Sequence, residues 1–435
     1  MRRLSKCLCI ALTALILLSA CGSGDQGSST TDTSPAVDTN TGSGAVAEDK
    51  ITGDIIVFQW AGDAMFQDLV PAFNKKYPGV NVILEHGSNS VAEYLQVQRV
   101  RFLSGENIDV TAVRPESRVD YIEAGYLMDL TGQPFLNNFE PSIIEALSHN
   151  GKCYGYPMFL ATVGVLYNKE MFDANGWTPA TNIDEFIELC QKIKDAGIIP
   201  HMNAGRDGWP IQFDVYPFLH DVMVKDPAIF DKIKTGDAKY TDRVFVDAFT
   251  RIADYYSRGF IGAESLGLDY SQAVTAFATG QTAMFIQGNW IEGDFIDPDT
   301  GKSVVTFDYG VFQIPHNKPG EPQVSSISFG ITWGVSSATK SPEAALSFMD
   351  FMATEEGARL VEPHVGLFMP VKGFVSEKTE SWTQILNNNA IDFFYDNQSP
   401  GANAEMLRVL QMMFLGDMGA EEALQAIQDA QERGQ

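Results

Sequence analysis

The chain is 435 residues long, with 56 acidic against 30 basic residues and a formal net charge of −26. That balance excludes nucleic acid and anionic lipid surfaces as partners, because both demand a basic footprint. The length beyond Lys50 exceeds what one hydrophobic core ordinarily organises and predicts two or three domains.

Arg2, Arg3 and Lys6 precede an apolar run from Leu8 to Leu18. The run is too short for a stable membrane span and reads as a signal peptide over residues 1–20. Leu18-Ser19-Ala20-Cys21 resembles a bacterial lipobox, which implies cleavage before Cys21 and lipid on its thiol. Gly, Ser, Thr, Asp and Asn dominate the stretch that follows, so residues 21–50 are expected to form a flexible tether. No later apolar run approaches bilayer length, which leaves the lipid as the expected anchor to the cell membrane. Cys7 and Cys9 depart with the signal, leaving Cys153 and Cys190, which are read as unpaired thiols.

Strands and helices alternate from there. Ile55–Trp60 is an apolar run suited to a buried strand, and Met65, Phe66, Leu69, Val70 and Phe73 share one helical face. Pro78-Gly79 stops that helix; Val80–Leu84 is a second strand, Tyr94–Leu103 a helix and Asp109–Val113 a third strand. Strand–helix–strand at this spacing predicts parallel βαβ units and an α/β class. Gly164–Tyr167 is a further strand. Asn182–Ala196 has a helical stripe of Ile183, Phe186, Ile187, Cys190 and Ile193, with Thr181 and Asp184 expected to cap it. Ser341-Pro342 opens another helix, and the tail from Glu421 is helical.

There is no Gly-x-Ser-x-Gly elbow, no His-Glu-x-x-His and no phosphate-binding loop, and the six histidines never pair at metal-ligand spacing. Asp297-x-Asp299-x-Gly301 places its glycine one position early for a calcium loop and reads better as a hairpin turn. No metal or cofactor is expected. A glycosidase needs only two carboxylates from anywhere in the chain, so motif absence alone does not dismiss it.

Eight segments follow one another along the chain: Phe73–Val80, Gly151–Pro157, Leu166–Phe172, the Thr181–Phe186 capping segment, Ala196–Pro200, Ala276–Met284, Gly288-Asn289-Trp290 and Trp333–Ser336. Together and in that order they resemble the extracellular solute-binding proteins of ABC importers, in the branch that binds maltose and multiple other sugars. The resemblance implies a two-lobed periplasmic-binding-protein fold (type II) with a ligand cleft between lobes joined by crossings. The expected crossings lie near Pro157–Ala161, Phe329–Ile331 and Gly366–Pro370. Residues 51–159 and 330–366 then make the N-terminal lobe, and residues 160–329 and 367–435 the C-terminal one. It further implies a lipid-anchored, monomeric, non-enzymatic receptor that passes a neutral mono- or oligosaccharide to membrane permease subunits. A non-sugar solute, a surface glycosidase and a partner of a sensor kinase stand as the alternatives.

Sugars present C–H faces and a rim of hydroxyls, so their sites combine aromatic platforms with polar side chains in the ring plane. Loops at strand ends supply the candidates: Trp60 and Asp63 after the first strand, Arg114 and Glu116 after the third, Trp209 and Asp214 in a Gly/Pro-rich segment. Gln287, Asn289 and Trp290 follow another strand-like run, and Trp333 stands near the second crossing. Trp60 and Trp333 fit core packing as well as ligand stacking, and Arg114 fits a structural ion pair as well as a ligand contact. Trp177 and Trp382 are read as packing residues. Ala161-Thr162 offer little polar reach at the first crossing, which puts the sugar's identity in question.

Overall fold

The computed structural model describes residues 50–60, 64–88, 91–297, 300–365, 367–375, 380–386, 390–394 and 398–433. The signal peptide, the lipobox cysteine, nearly all of the tether, Asp63 and the side chain of Glu116 lie outside the described residues.

The apolar run after Gly53 is strand β1 (Gly53–Gln59), with Ile55, Val57 and Phe58 buried. It pairs in parallel with β2 (Val80–His86) and with β3 (Val110–Val113). Between them lie the helices Leu69–Lys76 and Val91–Ser104, the right order for βαβ units. The helix expected from Met65 is broken: Ala64–Phe66 is a separate short 3₁₀ turn, and the α-helix begins only at Leu69. Phe66 packs edge-on to Trp333 and Phe73 edge-on to Phe348, so both pieces are held by tertiary contacts.

The chain then makes β4 (Tyr156–Pro157) and leaves this sheet for β5 (Ala161–Asn168). A second sheet follows, built from β5, β6 (Ile199–His201), β7 (Thr282–Gly288), β8 (Tyr309–Gln313) and β9 (Ser325–Ser328). The chain returns to the first sheet as β10 (Thr332–Val335) and ends the strand series in the second sheet with β11 (Ala390–Asp392). Strand order among the described residues is β2-β1-β3-β10-β4 in one sheet and β11-β9-β5-β7-β6 in the other, with β8 also on β5. This is an α/β, two-lobed fold.

The register locates the crossings. Thr332 pairs with both Val113 and Pro157, so β10 begins where β3 and β4 end. Ala161 pairs with Ser328, so β5 begins beside the end of β9. The first two crossings therefore run side by side. Leu160 forms an antiparallel bridge with Phe368, which adds the third. That third stretch stays with the first lobe beyond Pro370: Val371 bridges Phe139, and the Lys372 N–H donates to the Asn138 carbonyl at 2.8 Å.

The helix Ile183–Asp195 buries Ile183, Phe186, Cys190 and Ile193 of the expected stripe, leaves Ile187 half-buried and buries Leu189 as well. Its cap lies one residue later than the sequence suggests. Asn182 accepts from the Glu185 N–H at 3.0 Å, and the Glu185 carboxylate accepts from Thr181 N and Oγ1, each at 2.8 Å. Cys153 and Cys190 are both free and buried, and burial pushes the Cys190 thiol up to about 12, which leaves it inert. Asp297 accepts from Thr300 N and Oγ1 at 2.8 and 2.9 Å, and Ile296 bridges Ser303. Trp177 packs edge-on to Phe172, and Trp382 is fully buried.

Candidate functional site

In open α/β sheets, ligands bind at the carboxyl ends of parallel strands. Here those ends in both sheets point toward the crossings. In the first sheet, β1 runs into Trp60 and β3 into Arg114. The Arg114 guanidinium lies 4.9 Å from the centre of the half-buried Trp60 ring. Such stacking fixes the orientation of both groups. The Trp60 Nε1 is buried and has no hydrogen-bond partner among the described residues.

In the second sheet, β6 and β7 are parallel neighbours, with Ile199 opposite Thr282. The chain after β6 leads to Trp209 and the chain after β7 to Trp290, so register alone brings the two tryptophans together. Their ring centres are 6.1 Å apart, with Tyr270 at 5.1 Å from Trp209 and Phe213 at 5.8 Å from Trp290. Trp209, Tyr270 and Trp290 are each only half-buried. Tyr270 donates to the Asp294 carboxylate at 2.6 Å. Burial raises both groups above their ordinary values, so the Tyr270 hydroxyl keeps its proton and stays the donor of this bond. The Trp290 ring folds back over Gly288: a Cβ there would stand 2.0 Å from a ring carbon.

Tyr270 and Phe213 were missed from the sequence. A signal for Tyr270 existed, since Asp269 and Gln272 form a capping box that puts this ring on the first turn of the helix Tyr270–Ala278. Nothing local distinguishes Phe213 from its apolar neighbours.

Four expected ligand residues are instead framework. Trp333 is 1 % exposed and sits mid-sheet, opposite Ala112 and Tyr156. Gln287 shares a face with Leu166 and Phe285 inside the second lobe, and its Oε1 accepts from the Gly288 N–H at 3.1 Å. Asn289 is fully buried and binds the backbone of Thr162. Asp214 is buried beneath the Trp209 turn, accepting from Asn203 Nδ2 at 2.5 Å and from the Tyr256 hydroxyl at 3.4 Å. Asn203 Nδ2 also reaches the Pro210 carbonyl at 3.3 Å, so these side chains brace the turn.

Burial pushes the Asp214 carboxyl up to about 8. An unfolded aspartate titrates near pH ~4, so its contribution to stability is intact below that pH. As pH rises toward 8 the unfolded chain ionises while the folded one keeps its proton, and stability falls by up to about 1.4 kcal/mol per pH unit. Asp214→Asn lacks this slope. Its stability relative to wild type is expected to rise between pH 5 and pH 7 by about 1 kcal/mol per unit in denaturant melts. Parallel pH profiles of the two proteins would show that Asp214 is already ionised in the folded state.

Among the described residues no group of three His, Cys, Asp or Glu side chains is placed to hold a metal ion, and no helix is long and apolar enough to cross a membrane.

Comparison with known proteins gives this arrangement a context. The profile of the family described as bacterial extracellular solute-binding protein matches residues 59–359. The multiple sugar-binding protein of Streptococcus mutans is 25 % identical over 341 residues, covering 76 % of this chain and 78 % of its own. The melibiose/raffinose/stachyose-binding protein MelE of Bacillus subtilis is 23 % identical over 298 residues, 68 % of each chain. Among solved structures, a chitin oligosaccharide binding protein superposes with a TM-score of 0.77 at 22 % identity, over 88 % of this chain and 99 % of that one. At that identity the superposition speaks for the fold. The family match extends over well more than half of the length, from β1 to the helix Glu355–Val361. This chain therefore belongs to the bacterial extracellular solute-binding proteins, a family that works outside the cytoplasm.

Proposed function

We propose that this protein is the receptor of a sugar importer: it captures a neutral mono- or oligosaccharide and hands it to an ABC permease. The observation that carries this reading is the placement of half-buried aromatic rings beyond carboxyl strand ends of both sheets, Trp60 after β1 and Trp209 and Trp290 after β6 and β7, with the Tyr270 ring against Trp209. Such rings offer flat apolar area to the C–H faces of a sugar. Arg114 supplies a donor beside Trp60, and Asp63 and Glu116, just beyond the same strand ends in sequence, complete the proposed polar set. The relatives' names, a multiple sugar-binding protein and a melibiose/raffinose/stachyose-binding protein, support the same substrate class. Closure follows if the ligand contacts both lobes and so favours the closed state over the open one. The nucleotide-hydrolysing subunits are separate chains, and the receptor works as a monomer.

The test is a thermal and denaturant stability screen of the mature protein against a carbohydrate panel. A sugar at a hundred times its dissociation constant is expected to add about 2.7 kcal/mol of apparent stability. That sugar is expected to come back uncleaved after many hours. No stabilisation by any sugar, with stabilisation by an amine or organic acid, would replace the sugar reading. Cleavage products growing in proportion to protein would replace the receptor reading with a glycosidase.

Anchoring is part of the proposal. Cys21 carries a diacyl lipid, because one chain alone binds membranes only marginally. Wild type is expected in the membrane fraction with a lipid-shifted N-terminal mass, and Cys21→Ala to lose both. An unmodified mature N-terminus by mass spectrometry would remove the lipid from the proposal.

A further inference from the structure

The Trp290 platform and the crossings meet in one knot of hydrogen bonds. Asn289 lies between Gly288 and Trp290 and is 0 % exposed. Its Oδ1 accepts from the Thr162 N–H at 3.0 Å, and its own N–H donates to the Thr162 carbonyl at 3.0 Å. Its Nδ2 reaches the Leu160 carbonyl at 3.4 Å. One small amide thus grips the backbone of the first crossing from both its donor and its acceptor ends.

That stretch of backbone is where the other crossings join. Leu160 N donates to the Phe368 carbonyl at 2.7 Å and Phe368 N returns a bond to the Leu160 carbonyl at 3.3 Å, which ties in the third crossing. Thr162 Oγ1 donates to the Ser326 carbonyl at 2.7 Å, in the strand that leads into the second. Thr162, which looked like a poorly equipped ligand residue, is instead the node of these contacts, and the amide facing it comes from β7. Any tilt of the Trp290 turn must move Leu160 and Thr162 with it, or break these bonds, of which the Asn289–Thr162 pair is buried.

We propose that Asn289 is a positioning residue that makes the Trp290 turn and the first crossing one rigid piece, so that a ring held on Trp290 biases the angle between the lobes. This rests on the sugar-receptor reading. A hinge segment absorbs closure through a few residues, and a ligand changes the open–closed ratio only by contacts that differ between the two states. Through Asn289, the stacking contact becomes such a contact without any ligand atom touching the crossing.

The test uses the full mature chain and the sugar found in the panel. Asn289→Ala is expected to bind about tenfold more weakly, since a smaller fraction of molecules is closure-competent. In X-ray scattering at saturating sugar, it is expected to shrink less than wild type. Combined with Trp290→Ala, its loss is expected to fall well short of the product of the two single losses, as coupled residues do. Without ligand, hydrogen exchange at the Thr162 amide is expected to quicken at least tenfold while Val165, deeper in β5, stays protected. Asn289→Asp keeps the acceptor but sets a carboxylate against the Leu160 carbonyl, so it should show the same pattern if Asn289→Ala does not fold. Wild-type closure and affinity in these variants, or losses that simply multiply with Trp290→Ala, would overturn the proposal. If wild type binds no sugar at all, the sugar reading fails by itself, and unchanged exchange at Thr162 would still refute the staple.

Discussion

Trp333→Ala is expected to destabilise the ligand-free protein by about 3–5 kcal/mol, the usual cost of emptying a buried tryptophan site. The ring sits in β10 of the first sheet, with β3 on one side and the edge strand β4 on the other. Its centre is 5.4 Å from that of Phe66 in an edge-on contact, and 1 % of the residue reaches solvent. Removing it leaves a cavity between the sheet and the turn Ala64–Phe66 that rigid strands cannot close. The Trp333 Nε1 is also buried without a hydrogen-bond partner among the described residues. Trp333→Phe removes that unpaired donor and keeps an aromatic ring, so it is expected to cost less than half as much. A fall in denaturant midpoint at constant m-value, in protein without sugar, checks both variants. Weaker sugar binding with unchanged midpoint would return Trp333 to the ligand site.

Trp290→Ala is expected to weaken sugar binding by roughly 1.5–3 kcal/mol, tenfold or more in affinity. The ligand-free protein should lose less than Trp333→Ala does, because the Trp290 ring is only half-buried against Trp209, Phe213 and Gly288. Gly288→Ala offers a second route to the same result. A Cβ at this position would lie 2.0, 2.2 and 2.4 Å from three atoms of the Trp290 ring, so the ring must leave its seat. That substitution adds one methyl group, touches no ligand, and is expected to weaken binding at least tenfold as well. Titration calorimetry beside ligand-free melts separates the outcomes. Unchanged affinity with a large loss of stability would make Trp290 a core residue, and affinity unaffected by Gly288→Ala would show that the ring can stack from another position.

What was readable from residues alone is whatever depends on near neighbours. The stripe Ile183, Phe186, Ile187, Cys190 and Ile193 is a 3.6-residue repeat, and all of it except the half-buried Ile187 is buried in the helix Ile183–Asp195. The apolar runs around Ile55, Val80 and Val110 became parallel strands because branched and aromatic runs bounded by Gly and Pro favour that state. The helix opening at Pro342 follows from local chemistry in the same way. The small offsets, such as Asn182 taking the cap in place of Thr181, are choices between adjacent residues that differ little in energy.

Which tryptophans border the crossings could be decided only by the tertiary structure. Trp60 and Trp333 both lie near strand ends in sequence, yet Trp60 stands just past the carboxyl end of β1, while Trp333 is carried into the sheet by the antiparallel entry of β10 between β3 and β4. Trp209 and Trp290 are 81 positions apart and meet because β6 and β7 are paired in parallel. Asp214 and Asn289 have the side chains of sugar-binding residues, but partners from distant parts of the chain, Tyr256 for one and Leu160 and Thr162 for the other, help remove them from solvent. A polar side chain in a loop carries no local mark of whether folding will bring it a ligand or a backbone. Burial depends on strand pairing and crossing order, and those are set by the summed packing of both lobes and not by any one segment.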